Sequence, residues 1–369
     1  MIFCEKCFND KIIADIIKSL PDALVGDCSI CNHKDVYLYD TDKMNDLTPY
    51  FEDLLNIYST KTTDNTLLEK AERIKLIDDL NQRWQLFSKS LTNDFALSIL
   101  KSIVPELYKN EPQLFDGEVV IPGLYDEEYR KNHSLLKNNN WEDFVNEIKT
   151  KNRYHCKLIN FEILEQYSSF IRKTFKKGKI FYRARNSNEK GFKPKEMSAP
   201  PVEKTIAGRA NAQGIRCLYL GSDVDTTFHE IKANLFDYVS VGKFRLERDI
   251  TVVDLRMITK ISPFVENLGY LDHAINQEYL ERLDLEISKP LRKNDVTLEY
   301  VPTQYIVDSI KNIEHNGKRE YDGIVYRSTT YPNGYNLAIF EPDVFKCISV
   351  KNYEVKGIEY NKELLKKKK

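Results

Sequence analysis

The spacing of apolar residues along the chain changes character near residue 179. Upstream, LTPYFEDLLNIY (47–58), NTLLEKAERIKLIDDLNQRWQLFSKSL (65–91) and NDFALSILKSIV (93–104) repeat apolar positions at intervals of three and four, with charged residues between. That period predicts amphipathic helices. Glycine is nearly absent there, as in a helical bundle. WEDFVNEIKTKNRYH (141–155) and NFEILEQYSSFIRKTF (160–175) continue the pattern as a helical lead-in, after a polar connection at 129–140. Trp84 and Phe87 fall on apolar helix positions and read as core residues.

From 179 onward the runs are short and β-rich: KIFYRAR, RCLYLGS, YVSVGKFRL, ITVVDLR, DGIVYRS and NLAIFEP, bounded by Gly, Asp, Asn or Pro. Two helices interrupt them, DTTFHEIKANLF (225–236) with Asp225 as N-cap and TQYIVDSIKNI (303–313). The strands are too irregularly spaced for a doubly wound parallel sheet, so the expected class is α+β. No internal repeat, Rossmann glycine fingerprint or phosphate-binding P-loop is present.

The 369 residues suffice for two or three domains with real cores. A hydrophobic fraction of 41%, a charged fraction of 30% and a formal net charge of -1 describe an ordinary soluble protein. They give no global attraction to nucleic acid or anionic membrane. The four lysines 366–369 are a local exception that reads as a solvated tail. The first residues carry acidic side chains and no apolar core, unlike a signal peptide, and no apolar run reaches the roughly 18 residues of a membrane span. The expected location is cytoplasmic, without a membrane partner.

Seven cysteines are present. Cys4, Cys7, Cys28 and Cys31 form two C-x2-C pairs separated by twenty residues that include the helical stretch DKIIADIIKSL. Each pair can put two thiolates on one turn, and four thiolates close a tetrahedral shell, so a structural zinc site is expected. Gly26 suits a tight turn before the second pair, and His33 is an alternative ligand. Cys156, Cys217 and Cys347 are isolated and read as packing residues.

The chemistry concentrates in 181–230 and returns at 321–328. Tyr182, Arg183 and Arg185 share one strand, with the two arginines on one face and Tyr182 on the other. Gly208-Arg209-Ala210-Asn211 lets backbone approach a ligand while Arg209 reaches a phosphate. Tyr219 to Glu230 is a strand, a turn and a helix that can bring Glu230 toward the end of Tyr219's strand. Ser328 ends a buried strand with a hydroxyl able to bond a ribose or phosphate oxygen, with no activating histidine in register. His229 reads as a surface or packing residue. Two arginines, an aromatic ring and a carboxylate suit a pocket that binds a dinucleotide and breaks a glycosidic bond.

Taken together, YRAR, GRANAQGIRCLYL, the tyrosine-to-glutamate spacing, VVDLR and DGIVYRS resemble the RES family, over about residues 180–350. The cysteine unit and helical region are similar to the HEPN-like segment that precedes RES domains in longer members. Arg130 and His133 are an arginine–histidine pair of the kind helical ribonucleases use, but the gap between them is two residues rather than four to six, so nuclease activity is not carried over. The expected divisions are a Cys4 unit at 1–40, a helical HEPN-like region at 41–150, a RES domain at 151–355 and a tail at 356–369.

The resemblance implies a fold similar to ADP-ribosyltransferases and a bacterial toxin that consumes NAD, neutralised by an antitoxin or other regulatory protein. It puts the family's arginine, glutamate and serine at Arg183, Glu230 and Ser328, and the further pocket residues at Arg209 and Tyr219, with Tyr182 beside them. Arg183 and Arg209 would hold the pyrophosphate of NAD, the tyrosines would pack on nicotinamide or its ribose, Glu230 would stabilise charge on the ribose, and Ser328 would orient the ribose or acceptor. Phosphate, water or a protein are all open as acceptor, giving an NAD phosphorylase, an NAD glycohydrolase or a protein ADP-ribosyltransferase. A zinc-containing nucleotide- or nucleic-acid-binding protein without turnover is the reading of another class. A homo-oligomer is also left open.

Overall fold

A computed structural model describes residues 1–60, 71–290 and 297–359. The lysine-rich tail expected beyond 359, and the start of the helix expected over 65–91, lie outside the described residues. The chain forms two compact units. The first takes in Met1–Asn140, Leu158–Ile163 and Lys260–Leu280, and the second Trp141–Lys157, Leu164–Thr259 and the segment from Glu281.

In the first unit, β1 (Ile2–Cys4), β2 (Leu24–Gly26) and β3 (Val36–Asp40) form an antiparallel sheet in the order β1-β3-β2. Gly26 therefore lies in a strand rather than a turn, and the turn conformation near the second cysteine pair falls to Asn32, at φ 60°. Helix α1 (Lys11–Ser19) starts where Asp10 accepts the Ile12 and Ile13 amides, and it buries Ile13 and Ile17, four residues apart.

Short helices follow: α2 (Thr48–Leu55), α3 (Leu76–Gln82), α4 (Asn93–Ile103), α5 (Pro105–Asn110), α6 (Pro112–Asp116) and α7 (Glu127–His133), with the two-residue strands β4 (Ile74–Lys75) and β5 (Glu118–Val119) paired among them. The helix expected to run to 91 stops at Gln82. Gln85 adopts φ 52°, so Trp84 and Phe87 turn into the core rather than continuing a helical face. The stretch 129–140 is also more than a polar connection. It holds the end of α7, and it buries Leu135 and Leu136, with the Leu135 amide donating to Asn276 Oδ1 at 2.7 Å.

The second unit begins with α8 (Trp141–Asn146). Two helices, α9 (Phe161–Phe170) and α11 (Tyr270–Ser288), are divided between the units. The eight-stranded sheet of the second unit is built from β6 (Arg172–Phe175), β7 (Ile180–Ser187), β8 (Leu218–Gly221), β9 (Tyr238–Leu246), β10 (Ile250–Asp254), β13 (Gly323–Arg327), β14 (Tyr335–Ile339) and β15 (Phe345–Glu354). Between β10 and β13 the chain also forms α12 (Val301–Lys311) and the small hairpin of β11 (Glu314–His315) and β12 (Lys318–Arg319).

The sheet order is β15-β9-β7-β8-β14-β13-β10-β6, with β10 and β13 parallel and every other pair antiparallel. Together with the helices this is the α+β class expected from the sequence.

Strand register assigns the two faces. Leu218, Leu220, Val252, Val325, Leu337 and Ile339 are buried in one cluster with Phe181 and Phe244. On the opposite face, Tyr182, Gly221, Asn336 and Tyr326 stand opposite one another across four neighbouring strands. Helix α10 (Val224–Glu230) belongs to this second face. Its Val224 and Phe228 pack with Tyr182, Ala184, Val239 and Val241, and a side chain at Gly221 would meet Thr227 at 2.7 Å.

Asp223, not Asp225, caps α10 by accepting the Thr226 amide at 2.8 Å. The helix ends at Glu230 rather than 236. Lys232 and Phe236 take φ of 50° and 67°, turning the chain into β9.

Gly323 fixes how closely β13 and β14 approach. A Cβ there would stand 2.3 Å from the Ala338 carbonyl oxygen, which belongs to the paired backbone and cannot rotate away. Gly323→Ala is expected to lower stability by about 1–3 kcal/mol, the range for overpacked cores, as measured by denaturant unfolding against wild type.

Candidate active site and metal centre

Strand β7 pairs with β9 over eight positions but with β8 at only one, Tyr182 opposite Gly221. In an antiparallel pair the next partners would be Arg183 with Leu220 and Ala184 with Tyr219. Those pairs do not form, so the strands part there. A cavity of about 470 Å³ opens at this place. It is lined from β7 by Tyr182 and Arg183, from β8 by Tyr219, from α10 by Glu230, and from the loop before β8 by Gly208, Arg209 and Asn211. Alternation keeps Arg183 and Arg185 on the face opposite Tyr182, yet Arg183 still lines the pocket through the gap.

Arg183 is anchored by Nη1, which donates to the Met197 carbonyl at 2.9 Å and to the Ser198 carbonyl at 2.5 Å. Its Nε and Nη2 donate to no described residue. Burial, followed by the charge of Arg185, pulls its pKa down to about 10, so it stays a cation at neutral pH. Arg185 donates to the Glu196 carbonyl, with its guanidinium over the Phe192 ring.

Arg209 projects from the loop toward the end of α11, donating to the carbonyls of Glu286 (3.1 Å) and Lys289 (2.7 Å). A cation at a helix C-terminus is favourable, because the last carbonyls lack intrahelical donors.

The loop bearing Arg209 is fastened by Tyr219. Its hydroxyl donates to Asn211 Oδ1 at 2.6 Å and accepts the Ala210 amide at 2.9 Å. Gln304 Nε2 holds the same loop by donating to the Gly208 and Asn211 carbonyls, both at 2.8 Å. Gly208 is required by this closeness, since a Cβ would lie 2.6 Å from the Tyr219 hydroxyl. Burial raises the Tyr219 pKa well above the usual phenol value, so it remains a neutral phenol. The ring is thus a pocket wall and the hydroxyl a latch.

Glu230 ends α10 with one oxygen engaged. Oε1 accepts from Ser328 Oγ and from Asn336 Nδ2, each at 2.8 Å. Ser328 is buried and does not line the cavity. Its hydroxyl also accepts the Tyr331 amide at 3.2 Å, and it reaches the pocket only through Glu230. His229 stacks on Tyr331, with ring centres 5.0 Å apart.

Three lining residues went unrecognised in the sequence. Asn336 and Tyr326 are 4% and 5% exposed, and Tyr300 stands close to Arg209, with the guanidinium 6.0 Å from the ring centre. The Tyr326 pKa is raised, first by burial and then by the negative charge of Glu230. A polar residue at a strand position whose flanking residues alternate into a core was the available signal for Asn336. Cys217 also lines the cavity as a buried thiol, its pKa raised to about 12 by burial. Cys156 is buried and Cys347 half-buried.

In the first unit, Cys4, Cys7, Cys28 and Cys31 bring their sulfurs within 4.8 Å of one another, three of them buried. The Cys4–Cys7, Cys7–Cys28 and Cys4–Cys31 separations are 3.9, 3.8 and 3.3 Å. This cluster can hold a metal ion. His33 Nδ1 lies 3.3 Å from Cys31 Sγ, at the edge of the cluster. Arg130 and His133 form no comparable centre. His133 pairs with Asp272 at 3.0 Å and stacks on Tyr129, whose hydroxyl donates to the same carboxylate.

Where β7 and β8 part beyond their single pair, Arg183, Arg209 and the pinned Glu230 line one cavity. Comparison with family models matches residues 180–357 to the RES domain, and this part of the chain is a RES domain. No curated protein and no solved structure matches the chain. No described helix is long and apolar enough to cross a membrane.

The latch gives a direct test. Tyr219→Phe keeps the ring and leaves Asn211 Oδ1 and the Ala210 amide without their partner. It is expected to cost about 1–3 kcal/mol in thermal or denaturant unfolding.

Proposed function

We propose that the RES domain cleaves the bond between nicotinamide and ribose in NAD, with phosphate as acceptor, and that the chain acts as a toxin restrained by an antitoxin or regulatory partner. The observation that carries this reading is Glu230, held by one oxygen at the rim of a cavity that Arg183 and Arg209 also line. The RES family is consistent with an NAD-related toxin.

The unused N–H groups of Arg183 and Arg209 suit the pyrophosphate, which forked, charge-assisted hydrogen bonds recognise well. Tyr182 and Tyr219 offer aromatic walls for the nicotinamide or its ribose. As the glycosidic bond breaks, its electron pair passes to the pyridinium nitrogen, and neutral nicotinamide leaves. Positive charge then gathers on the ribose C1 and ring oxygen. The negative carboxylate of Glu230 stabilises that charge more in the transition state than in the ground state. A phosphate oxygen then forms the new bond to C1, giving ADP-ribose 1-phosphate. Ser328 serves this step by orienting Glu230.

We read the metal of the first unit as a structural zinc held by Cys4, Cys7, Cys28 and Cys31. Zinc–sulfur bonds of about 2.3 Å in a tetrahedron put sulfurs about 3.8 Å apart, close to the separations of this cluster. Four thiolates leave no open position, so the ion's contribution is to the fold. Metal analysis is expected to find one zinc per chain, lost in Cys4→Ser together with a lower melting temperature. A full-length protein that is metal-free and equally stable overturns the assignment.

Glu230→Gln preserves the size and the hydrogen-bond acceptor while removing the charge. Nicotinamide release from NAD, with and without phosphate, is expected to need phosphate in wild type. In the variant it is expected to fall at least a hundredfold, with NAD binding within about threefold of wild type. Phosphate-independent release would transfer the reading to hydrolysis, and unchanged turnover in the variant would remove Glu230 from the chemistry.

A further inference from the structure

We propose that Asn336 is a positioning residue for Glu230. It fixes the carboxylate through Oε1 so that Oε2 is the oxygen presented to the ligand. The proposal rests on the reading of Glu230 as the catalytic carboxylate, and it extends the machinery to a residue on a different strand.

Asn336 lies at the middle of the sheet, in the row Tyr182, Gly221, Asn336 and Tyr326 on the pocket face. Its neighbours Tyr335 and Leu337 point to the other face, where Leu337 is fully buried. A residue 4% exposed in such a strand is ordinarily aliphatic, since a buried amide is costly unless bonded. The side chain makes one hydrogen bond to the described residues, from Nδ2 to Glu230 Oε1 at 2.8 Å.

Glu230 needs this partner. It is an exposed residue at the C-terminal end of α10, where helix carbonyls disfavour an anion, and an exposed glutamate has several rotamers of similar energy. Ser328 and Asn336 approach from β13's end and from β14, and both bind Oε1. Two donors from different strands select one rotamer. Because both act on the same oxygen, Oε2 keeps its lone pairs. An asparagine suits the place because it donates without adding charge. Aspartate would fit the same space and repel the carboxylate.

The other ionisable groups lining the cavity with Glu230 are Tyr326 on β13, Arg183 and Tyr182 on β7, Tyr219 on β8 with Cys217 just before it, and Arg209 and Tyr300. His229, next in the chain, is stacked on Tyr331. Burial holds the Tyr219 and Tyr326 phenols above their usual pKa and brings that of Arg183 down to about 10.

The test uses full-length Asn336→Leu and Asn336→Asp, with thermal unfolding to confirm the fold. In nicotinamide release, Asn336→Leu is expected to lower kcat about ten- to a hundredfold with KM changed less than threefold. In Asn336→Asp the added negative charge raises the Glu230 pKa. The ionised carboxylate is then lost at higher pH as acid is added, and the acidic limb of the rate profile moves to higher pH. A merely structural role would lower both variants without moving that limb. An Asn336→Asp variant with the wild-type kcat and profile overturns the proposal.

Should wild type release no nicotinamide, the function reading fails and the geometry is still tested. Carbon-13 NMR of labelled glutamate, with Glu230→Gln identifying the signal, is expected to show the Glu230 titration moved upward in Asn336→Asp. An unmoved titration overturns the proposal whatever the activity. If Asn336→Leu does not fold, Asn336→Asp carries both readouts.

Discussion

The second unit turns on a junction that is nearly missing. Strands β7 and β8 meet at Tyr182 and Gly221 and part immediately afterwards, while β7 stays fully paired with β9. Unpaired strand edges inside a sheet leave backbone donors and acceptors to be satisfied elsewhere. Here they border a cavity whose wall mixes apolar residues such as Leu220 and Ile231 with the polar side chains of Arg183, Asn211 and Glu230. Gly221 makes the junction work from the other side, because its missing side chain lets α10 lie against β8. A larger residue would lift the helix, and with it Glu230, away from the sheet. One short pair therefore sets both where the cavity opens and where the carboxylate arrives.

The charges at this opening are arranged before any ligand arrives. Arg183 is tethered by one nitrogen to two carbonyls, and Arg209 by two nitrogens to the end of α11. Each retains donors, and each is restrained in its long side chain. Ordering a free arginine at the moment of binding costs conformational entropy, and tethering lowers that cost. Neutral carbonyls do the tethering instead of carboxylates. A carboxylate partner would compete with an anionic ligand for the same guanidinium, whereas a carbonyl leaves the positive charge uncompensated and available.

Legibility in the sequence followed the range of the interactions. Strands with dense β-formers between turn residues, such as YVSVGKFRL, matched their observed limits at Tyr238–Leu246, because alternation and turn chemistry are local signals. Strand β15 was not read at all. FKCISVKNYE mixes charges with apolar residues, and its place in the sheet comes from pairing with β9, a hundred residues away in sequence. The helix expected over 65–91 failed for a related reason. Its period was helical, but Gln85 turns left-handed so that Trp84 and Phe87 can join a core assembled from distant elements. At the site, the chemical residue types were readable and their partners were not. Nothing local to Tyr219 says that its hydroxyl bonds Asn211, and nothing local to Arg209 says that it meets the end of α11.

The same distinction changes how the arginine, glutamate and serine of the domain relate to one another. Read along the chain, Arg183, Glu230 and Ser328 look like three groups converging on a ligand. In space, Ser328 stands behind Glu230, with its proton directed to Oε1 and its lone pair to the Tyr331 amide. Asn336 supplies the second donor to that oxygen from the neighbouring strand. A residue held this way reports on the ligand only through the carboxylate it orients. Losses at Ser328 and at Asn336 are therefore coupled rather than additive, since each removes part of one restraint on a single oxygen. The chemistry of the pocket then reduces to two kinds of element. Two arginines are tethered by neutral carbonyls beside the cavity, and one carboxylate is held through Oε1 while its Oε2 accepts from no described residue.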